Sequence, residues 1–225
     1  MGELSVARVL WLLGQDEQLF RPRVGAMGVA VAAAALVDVV GSGAATWVDS
    51  SGQPEVVCTG ESPSDALIGR WAAALEESGG REPLRVIHAI NAMGSQNWDA
   101  VGADLARQGM AEEVPRPVRR WMAPRRRPDL AVARRERARL LAVIGGRGTA
   151  SAQEEGVLAV AWCAGIAEHV LSTNAFTDSG VIEPTRRFLA NSALVPRLEP
   201  AVSYLVSMGP LLGMDGNPGW SGPGG

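Results

Sequence analysis

Arginine is the residue type whose number and spacing in this chain most clearly point to a chemistry. Ten arginines lie between residues 116 and 139, where only Asp129 and Glu136 oppose them, so this segment carries a formal charge of +8 and the rest of the chain −11. A guanidinium group is planar, permanently charged and matched to the geometry of phosphate and carboxylate groups. A single basic block on an acidic body therefore indicates an anionic surface as the partner.

The first half of this block, residues 116–127, adds apolar side chains that suit a membrane surface. Trp121 and Met122 lie among its arginines. Tryptophan favours the boundary between lipid head groups and acyl chains, and each basic residue near an anionic leaflet contributes about 1 kcal/mol. The sequence therefore predicts reversible, salt-sensitive docking on anionic lipid. The predicted lipid-binding residues are Arg116, Arg119, Arg120, Trp121, Met122, Arg125, Arg126 and Arg127.

Other interpretations of the block remain open. It also fits a solvated basic loop that pairs with carboxylates of its own or a neighbouring chain, or a hairpin that serves a protein–protein interaction scaffold or a self-associating regulator. The segments around it resemble a winged helix-turn-helix, but the helix that would read DNA carries Asp99 and Asp104 against Arg107. Because phosphate contacts dominate DNA affinity, the sequence disfavours nucleic acid as a partner.

Candidate catalytic and metal-binding residues are few. His88 and His169 have no histidine or cysteine at metal-ligand spacing. Cys163 and His169 are six residues apart on what is predicted to be one helix, which places them on nearly opposite faces. We therefore predict no catalytic residues, no metal and no cofactor, and we expect that the protein is not an enzyme. A small-molecule-binding protein or an enzyme with a pocket in a helical bundle stays a second alternative.

The elements that position these residues are predicted to be mainly helical. Apolar residues make up 47% of the 225-residue chain and aromatic residues 5%, which is typical of a helix-rich globular domain. Turn signals and apolar residues at helical spacing predict helices over residues 4–13, 24–40, 62–78, 83–93, 97–108, 128–144, 154–172, 183–191 and 199–207. Strands are predicted over residues 45–48 and 55–59, and a proline-interrupted hairpin or extended loop over 112–127.

The domain organisation follows from the same pass along the chain. Residues 1–208 are expected to form one domain, and the Gly/Pro-rich residues 209–225 a disordered tail. Residues 24–40 and 154–172 are apolar enough to lie at the centre of the fold. The first residues lack the features of a signal peptide, and no apolar run is long enough to span a bilayer. The expected location is therefore cytoplasmic.

The order of these segments resembles the Golgi phosphoprotein 3 family, in its bacterial branch. The similarity extends over about residues 4–207. Four stretches carry it: the opening helix at 4–13, the helix start Ser-Pro-Ser-Asp-Ala-Leu at 62–67, Leu-Ala-Arg-Gln-Gly at 105–109 before the basic hairpin, and residues 158–176, which cover the long helix and its exit His-Val-Leu-Ser-Thr-Asn-Ala-Phe.

The resemblance implies a mainly α fold in which a central helical bundle is wrapped by amphipathic helices. Within it we expect a short β-hairpin near residues 45–59 and a basic hairpin or loop near 112–128. The resemblance also implies that this second hairpin inserts into membranes or mediates self-association. Eukaryotic members of the family bind phosphatidylinositol 4-phosphate and the cytoplasmic tails of Golgi glycosyltransferases. A phosphoinositide-binding-like adaptor, peripheral to the inner face of the membrane, is the function that this similarity implies.

The lipid site of those members uses an aromatic residue before the second helix, an arginine early in that helix and two arginines before the hairpin. Phe20 matches the aromatic residue, whereas the arginine positions fall on Met27, Ser95 and Trp98. Two neighbouring arginines of the loop are candidate substitutes. This departure favours a generic anionic-lipid surface over a specific phosphoinositide site. The candidate head-group pocket comprises Phe20, Arg21, Arg23 and Trp98.

Overall fold

The fold is mainly helical with two small antiparallel sheets, as the sequence predicts. The structure, a computed structural model, describes residues 3–15, 25–49, 52–94, 97–114, 125–172 and 179–212. The described helices are α1 (Val6–Leu13), α2 (Met27–Gly41), α3 (Ala66–Gly79), α4 (Val86–Met93), α5 (Asn97–Arg107), α6 (Leu130–Ile144), α7 (Ala152–Cys163), α8 (Ala167–Leu171), α9 (Ile182–Leu189) and α10 (Val195–Leu212), with a 3-10 turn at Ser179–Val181. The described strands are β1 (Ala45–Val48), β2 (Glu55–Cys58), β3 (Leu84–Arg85), β4 (Ala111–Val114) and β5 (Arg125–Pro128).

Helix α1 lies at the centre of the fold. The resemblance implies amphipathic helices around a central bundle, yet all eight residues of α1 are buried, Arg8 and Trp11 included. Helices α2, α5, α6 and α7 pack around it. Gly156 of α7 permits one of these close approaches, because a Cβ at that position would lie 2.9 Å from Val6 Cγ2.

Helices α2 and α7 form the rest of the centre, as their composition predicts. Residues 29–37 of α2 and residues 157–161 of α7 are buried without interruption. Their valine, leucine and alanine side chains cover most of the helix circumference, so both helices bury apolar surface on several sides at once. The small alanines also allow α1, α2 and α7 to approach one another closely.

A carboxylate of α2 caps the start of α1. Asp38, which is 8% exposed, accepts hydrogen bonds from the backbone N–H groups of Val6 at 2.8 Å and Ala7 at 3.0 Å. These N–H groups have no partner within their own helix, so the contact satisfies two of them inside the core. Burial raises the pKa of Asp38 to about 6, although the two hydrogen bonds act in the opposite direction.

The first sheet gains a third strand that the sequence does not predict. Strands β1 and β2 form the expected antiparallel hairpin, and β3 then pairs with β2 so that Leu84 lies opposite Val56. The sequence places a helix start at Pro83, which is wrong because α4 begins only at Val86. The edge of β2 captures this segment through backbone hydrogen bonds, and local helical spacing carries no information about such a distant partner.

Further helix predictions differ from the structure. The stretch predicted as one helix over residues 154–172 divides into α7 and α8, because Gly165 adopts a φ of +67° beyond the end of α7. Helix α10 begins at Val195, earlier than predicted, since Pro196 lies in its first turn and costs no hydrogen bond there. The same helix continues to Leu212, inside the segment predicted as a tail, and residues 213–225 lie outside the described residues.

The cap on α1 predicts an unusual pH dependence of stability. The pKa of Asp38 lies above the value of about 3.9 expected in an unfolded chain, so the folded state holds this proton more tightly. Its contribution to the free energy of unfolding should therefore be largest below pH 4 and fall by up to about 3 kcal/mol as the pH rises to about 6. Urea unfolding of wild type and Asp38→Asn across this window measures the difference. A difference that stays constant with pH would contradict the assignment.

Candidate functional site

The basic hairpin, residues 111–128, is present as a two-stranded antiparallel sheet between α5 and α6. Strands β4 and β5 pair so that Val114 lies opposite Arg125, which is half-buried. Residues 115–124 join the strands at this end of the sheet. Their structure lies outside the described residues, together with five of the predicted lipid-binding residues: Arg116, Arg119, Arg120, Trp121 and Met122.

The register of this sheet places a glutamate opposite an arginine twice. Glu112 lies opposite Arg127 and Glu113 opposite Arg126. Both pairs are ion pairs, and Arg126 Nη2 lies 3.0 Å from Glu113 Oε1. Successive side chains of a strand point to opposite faces, so one pair lies on each face of the hairpin. Two of the predicted lipid-binding arginines thus pair with the chain's own carboxylates, which is the alternative that the sequence left open for the block.

Arg126 anchors the hairpin to α5. Its side chain is only 11% exposed, and its Nη1 lies 3.8 Å from Asp99 Oδ1. The aliphatic part packs over Gly102, where an added Cβ would lie 3.1 Å from Arg126 Cδ and 2.6 Å from the Trp11 ring. A larger residue than glycine would push these side chains apart. Little of Arg126 is therefore left for a lipid, whereas half of the Arg127 side chain is exposed.

The candidate head-group pocket is described at one residue. Trp98 is half-buried and packs against Trp11, with ring centroids 5.6 Å apart and planes tilted by 36°. Met27, a position at which the resemblance expects an arginine, is fully buried. These two residues contribute packing at positions where the resemblance implies cations. The remaining pocket residues lie outside the described residues: Phe20, Arg21 and Arg23.

A buried polar network joins α1 to α5 and to the start of α3. Arg8 Nη1 lies 2.7 Å from Asp65 Oδ2, and Arg8 Nη2 lies 2.7 Å from Asp104 Oδ2. Asp104 also accepts hydrogen bonds from Arg107 and Gln108. Burial acts to lower the pKa of Arg8, but the hydrogen bonds to Asp65 and Asp104 outweigh it and hold that pKa above its ordinary value. Asp104 is thus a buried counter-ion and not part of an exposed acidic surface.

The residues considered for catalysis lie on three different helices. Cys163 ends α7 and is buried, whereas His169 lies on α8 and His88 on α4, both exposed. Burial, with a smaller effect of Glu199, raises the pKa of Cys163 to about 12, so its thiol stays protonated at neutral pH. Among the described residues, no group of three His, Cys, Asp or Glu side chains is placed to hold a metal ion.

An open groove of about 140 Å³ lies between the end of the β1–β2 hairpin and α3. Small residues of α3 form one wall, and Cys58, Glu61 and Glu76 contribute its polar groups. Burial, and less strongly Glu76, raises the pKa of Cys58 above its ordinary value. Neither histidine nor Trp98 lines this groove. It is therefore separate from the two histidines considered for catalysis.

The fold and the hairpin together define a class: a mainly helical domain built around buried α1, with a basic β-hairpin between α5 and α6. A family model described as Golgi phosphoprotein 3 (GPP34) matches residues 6–201, from the start of α1 into α10. The chain therefore belongs to the Golgi phosphoprotein 3 family, as the resemblance predicted. No curated protein matches the chain. In the ranges that the structure describes, no helix is long and apolar enough to cross a membrane.

The two ion-paired arginines of β5 should differ in what they do for the fold. Replacing Arg126 with alanine removes a nearly buried side chain from Gly102 and leaves Asp99 and Glu113 without it, so we expect the free energy of unfolding to fall by about 2 kcal/mol. Arg127→Ala is the matched control, and its exposed pair should cost less than about 0.5 kcal/mol. Urea unfolding of both variants measures the difference, and equal losses would contradict the anchoring role.

Proposed function

We propose that the protein is a peripheral membrane-surface protein that binds anionic lipid head groups through its basic hairpin, on the cytoplasmic face of a membrane. The observation that carries the proposal is that the paired strands β4 and β5 connect a basic segment, residues 115–124, to the helical bundle. Arg116, Arg119 and Arg120 supply charge in the connection, and Trp121 and Met122 supply apolar surface. The predicted absence of catalysis remains a prediction beside it.

The charge of the hairpin supports this function after its internal pairs are counted. Residues 111–128 carry six arginines and two glutamates, a formal charge of +4. Both glutamates face arginines of β5, so the connection 115–124 keeps three arginines and contains no acidic residue. Three cations near an anionic surface contribute about 3 kcal/mol, and partial burial of Trp121 adds about 2 kcal/mol. Binding of this strength is reversible and depends on salt.

The mounting of the hairpin also supports the proposal. Arg126 fixes β5 against α5, and Trp11 of the central helix packs at the same glycine. The orientation of the strands is therefore set by the core, and less conformational entropy is lost when the hairpin binds. A basic loop without this contact would lose more conformational entropy on binding.

The choice of a general anionic lipid over phosphatidylinositol 4-phosphate rests on the residues at the family's lipid site. Met27 is buried and Trp98 stacks on Trp11, so neither position offers a cation. Membership of the Golgi phosphoprotein 3 family is consistent with an adaptor that meets both lipid and protein. A phosphoinositide-specific site would require Arg21 and Arg23 to replace the family's arginines.

Vesicle co-sedimentation tests the proposal. Wild type should bind phosphatidylglycerol-containing vesicles and not phosphatidylcholine vesicles, and binding should weaken strongly between about 0.1 M and 1 M salt, where the screening length falls from about 10 Å to 3 Å. Arg119→Ala/Arg120→Ala/Trp121→Ala, the hairpin variant, should bind at least about 30-fold more weakly, since it loses two charges and the indole. Equal binding to both vesicle types would sink the proposal.

The control variant also removes two positive charges, but from a helix outside the hairpin. Arg186→Ala/Arg187→Ala, the α9 variant, removes two exposed arginines from another helix. It should bind anionic vesicles nearly as well as wild type. Light scattering of wild type and the hairpin variant adds the last comparison. A change in mass without any vesicle binding would favour the interaction scaffold.

A further inference from the structure

Helix α6 presents an outer face of arginine and alanine. The opposite side of the helix, with Leu140 and Val143, is buried against the bundle. The outer positions follow one another at helical spacing and cover about 12 Å along the helix axis. The exposed residues of this face, the α6 face, are Ala131, Arg134, Arg135, Ala138 and Arg139.

The carboxylates that pair with these arginines lie beneath the face. Only 5% of the Glu136 side chain and 10% of the Glu154 side chain are exposed, against 48% for Arg135 and 43% for Arg139. Glu136 accepts hydrogen bonds from Arg135 Nε and Arg139 Nη1, both at 3.2 Å, and Glu154 Oε1 forms an ion pair with Arg139 Nε at 3.3 Å. One exposed carboxylate, Glu3, lies 3.9 Å from Arg139 Nη2. The buried carboxylates of Glu136 and Glu154 thus pair with Arg135 and Arg139 from the side that faces the bundle.

Arg134 adds a charge without an internal counterpart in the described structure. It is exposed, and no ion pair within the described ranges includes it. Arg135 uses only its Nε and Nη2 on Glu136, so it keeps further N–H donors. The alanines at 131 and 138 leave space beside the arginines. A phosphate group reaching Arg134 and Arg135 would therefore meet guanidinium donors before the buried carboxylate of Glu136.

We propose that the α6 face is a second membrane-contact surface, at which Arg134, Arg135 and Arg139 bind the phosphate groups of anionic lipids. The inference rests on the proposed function for the membrane itself and adds a site outside the hairpin. The hairpin leads directly into α6 through Asp129, the residue that caps this helix. One continuous stretch of chain thus supplies both contacts, and the two together hold the bundle in a defined orientation.

A membrane fits this face better than a nucleic acid does. The face is one side of a single helix, which a flat lipid surface can contact along its length. A nucleic-acid backbone requires an extended basic track, and the neighbouring hairpin and α5 expose the carboxylates of Glu112, Glu113 and Asp99 instead. These carboxylates divide the basic surface into patches, and a continuous polyanion needs an unbroken basic track whereas separate lipid head groups do not.

The first test removes the two arginines that the fold needs least. Arg134→Ala/Arg135→Ala, the α6 variant, leaves Arg139 to hold Glu136 and Glu154. We expect its partition onto phosphatidylglycerol-containing vesicles to be about tenfold weaker than that of wild type, with unchanged thermal unfolding. The α9 variant removes the same charge from a neighbouring helix, where both arginines pair with the exposed Glu183, and it should stay within about twofold of wild type.

The second test reads the contact directly and does not depend on lost affinity. An environment-sensitive fluorophore is attached at Ala138→Cys, in a Cys58→Ser background that removes the half-buried native thiol. Its emission should shift to the blue when anionic vesicles are added, because the label enters the head-group layer. The control carries the label at Ala190→Cys, an exposed alanine next to α9, and should not shift.

The outcomes separate this inference from the proposed function. If the hairpin variant loses binding while the α6 variant and the label at 138 are unchanged, the inference is overturned and the hairpin mechanism stands. If the α6 variant loses binding and the hairpin variant does not, the inference stands and the hairpin mechanism is overturned. Equal losses in the α6 and α9 variants would mean that net charge alone matters, and would overturn the inference. Binding to duplex DNA without vesicle binding would overturn both.

Discussion

Burying α1 on every side is the constraint on which the rest of the structure depends. A helix that is enclosed completely must satisfy its first N–H groups and its one arginine without water, and an unpaired buried charge costs several kcal/mol. Asp38 of α2 serves the N–H groups, while Asp65 and Asp104 serve Arg8. Three carboxylates from three elements therefore converge on α1. Their positions fix how α2 and α5 pack around α1 and where α3 begins.

The packing around α1 also determines the position of the basic hairpin. Trp11 of α1 packs at Gly102 of α5, and Arg126 of the basic hairpin packs at the same glycine. The hairpin is thus connected to the core through one close contact, and α6 follows it directly. The arginines of this stretch fall into two groups. Arg126 is turned inward and serves the fold, while Arg134 and Arg135 are turned outward and are available to an anionic partner.

Much of the fold was predictable because its signals are local. Apolar spacing and glycine stops give most helices within a few residues, and the collinear motifs give the family. The errors share a physical cause. Strand β3 exists because the distant β2 edge accepts it, and α7 ends where Gly165 takes a left-handed φ that the surrounding helical pattern does not reveal. Both depend on a partner or a conformation that a sequence window does not contain.

The sequence by itself determined the class of the protein and the place of its charge. The arginine block between residues 116 and 139 is a fact of composition, and no packing changes its sign. Tertiary structure alone decided which of these cations face water. The β4–β5 register pairs Arg126 and Arg127 with glutamates, and burial of Glu136 and Glu154 beneath α6 leaves arginine outermost. The charge of a side chain follows from its residue type. Its exposure and its ion pairs depend on how segments that are far apart in the chain pack together.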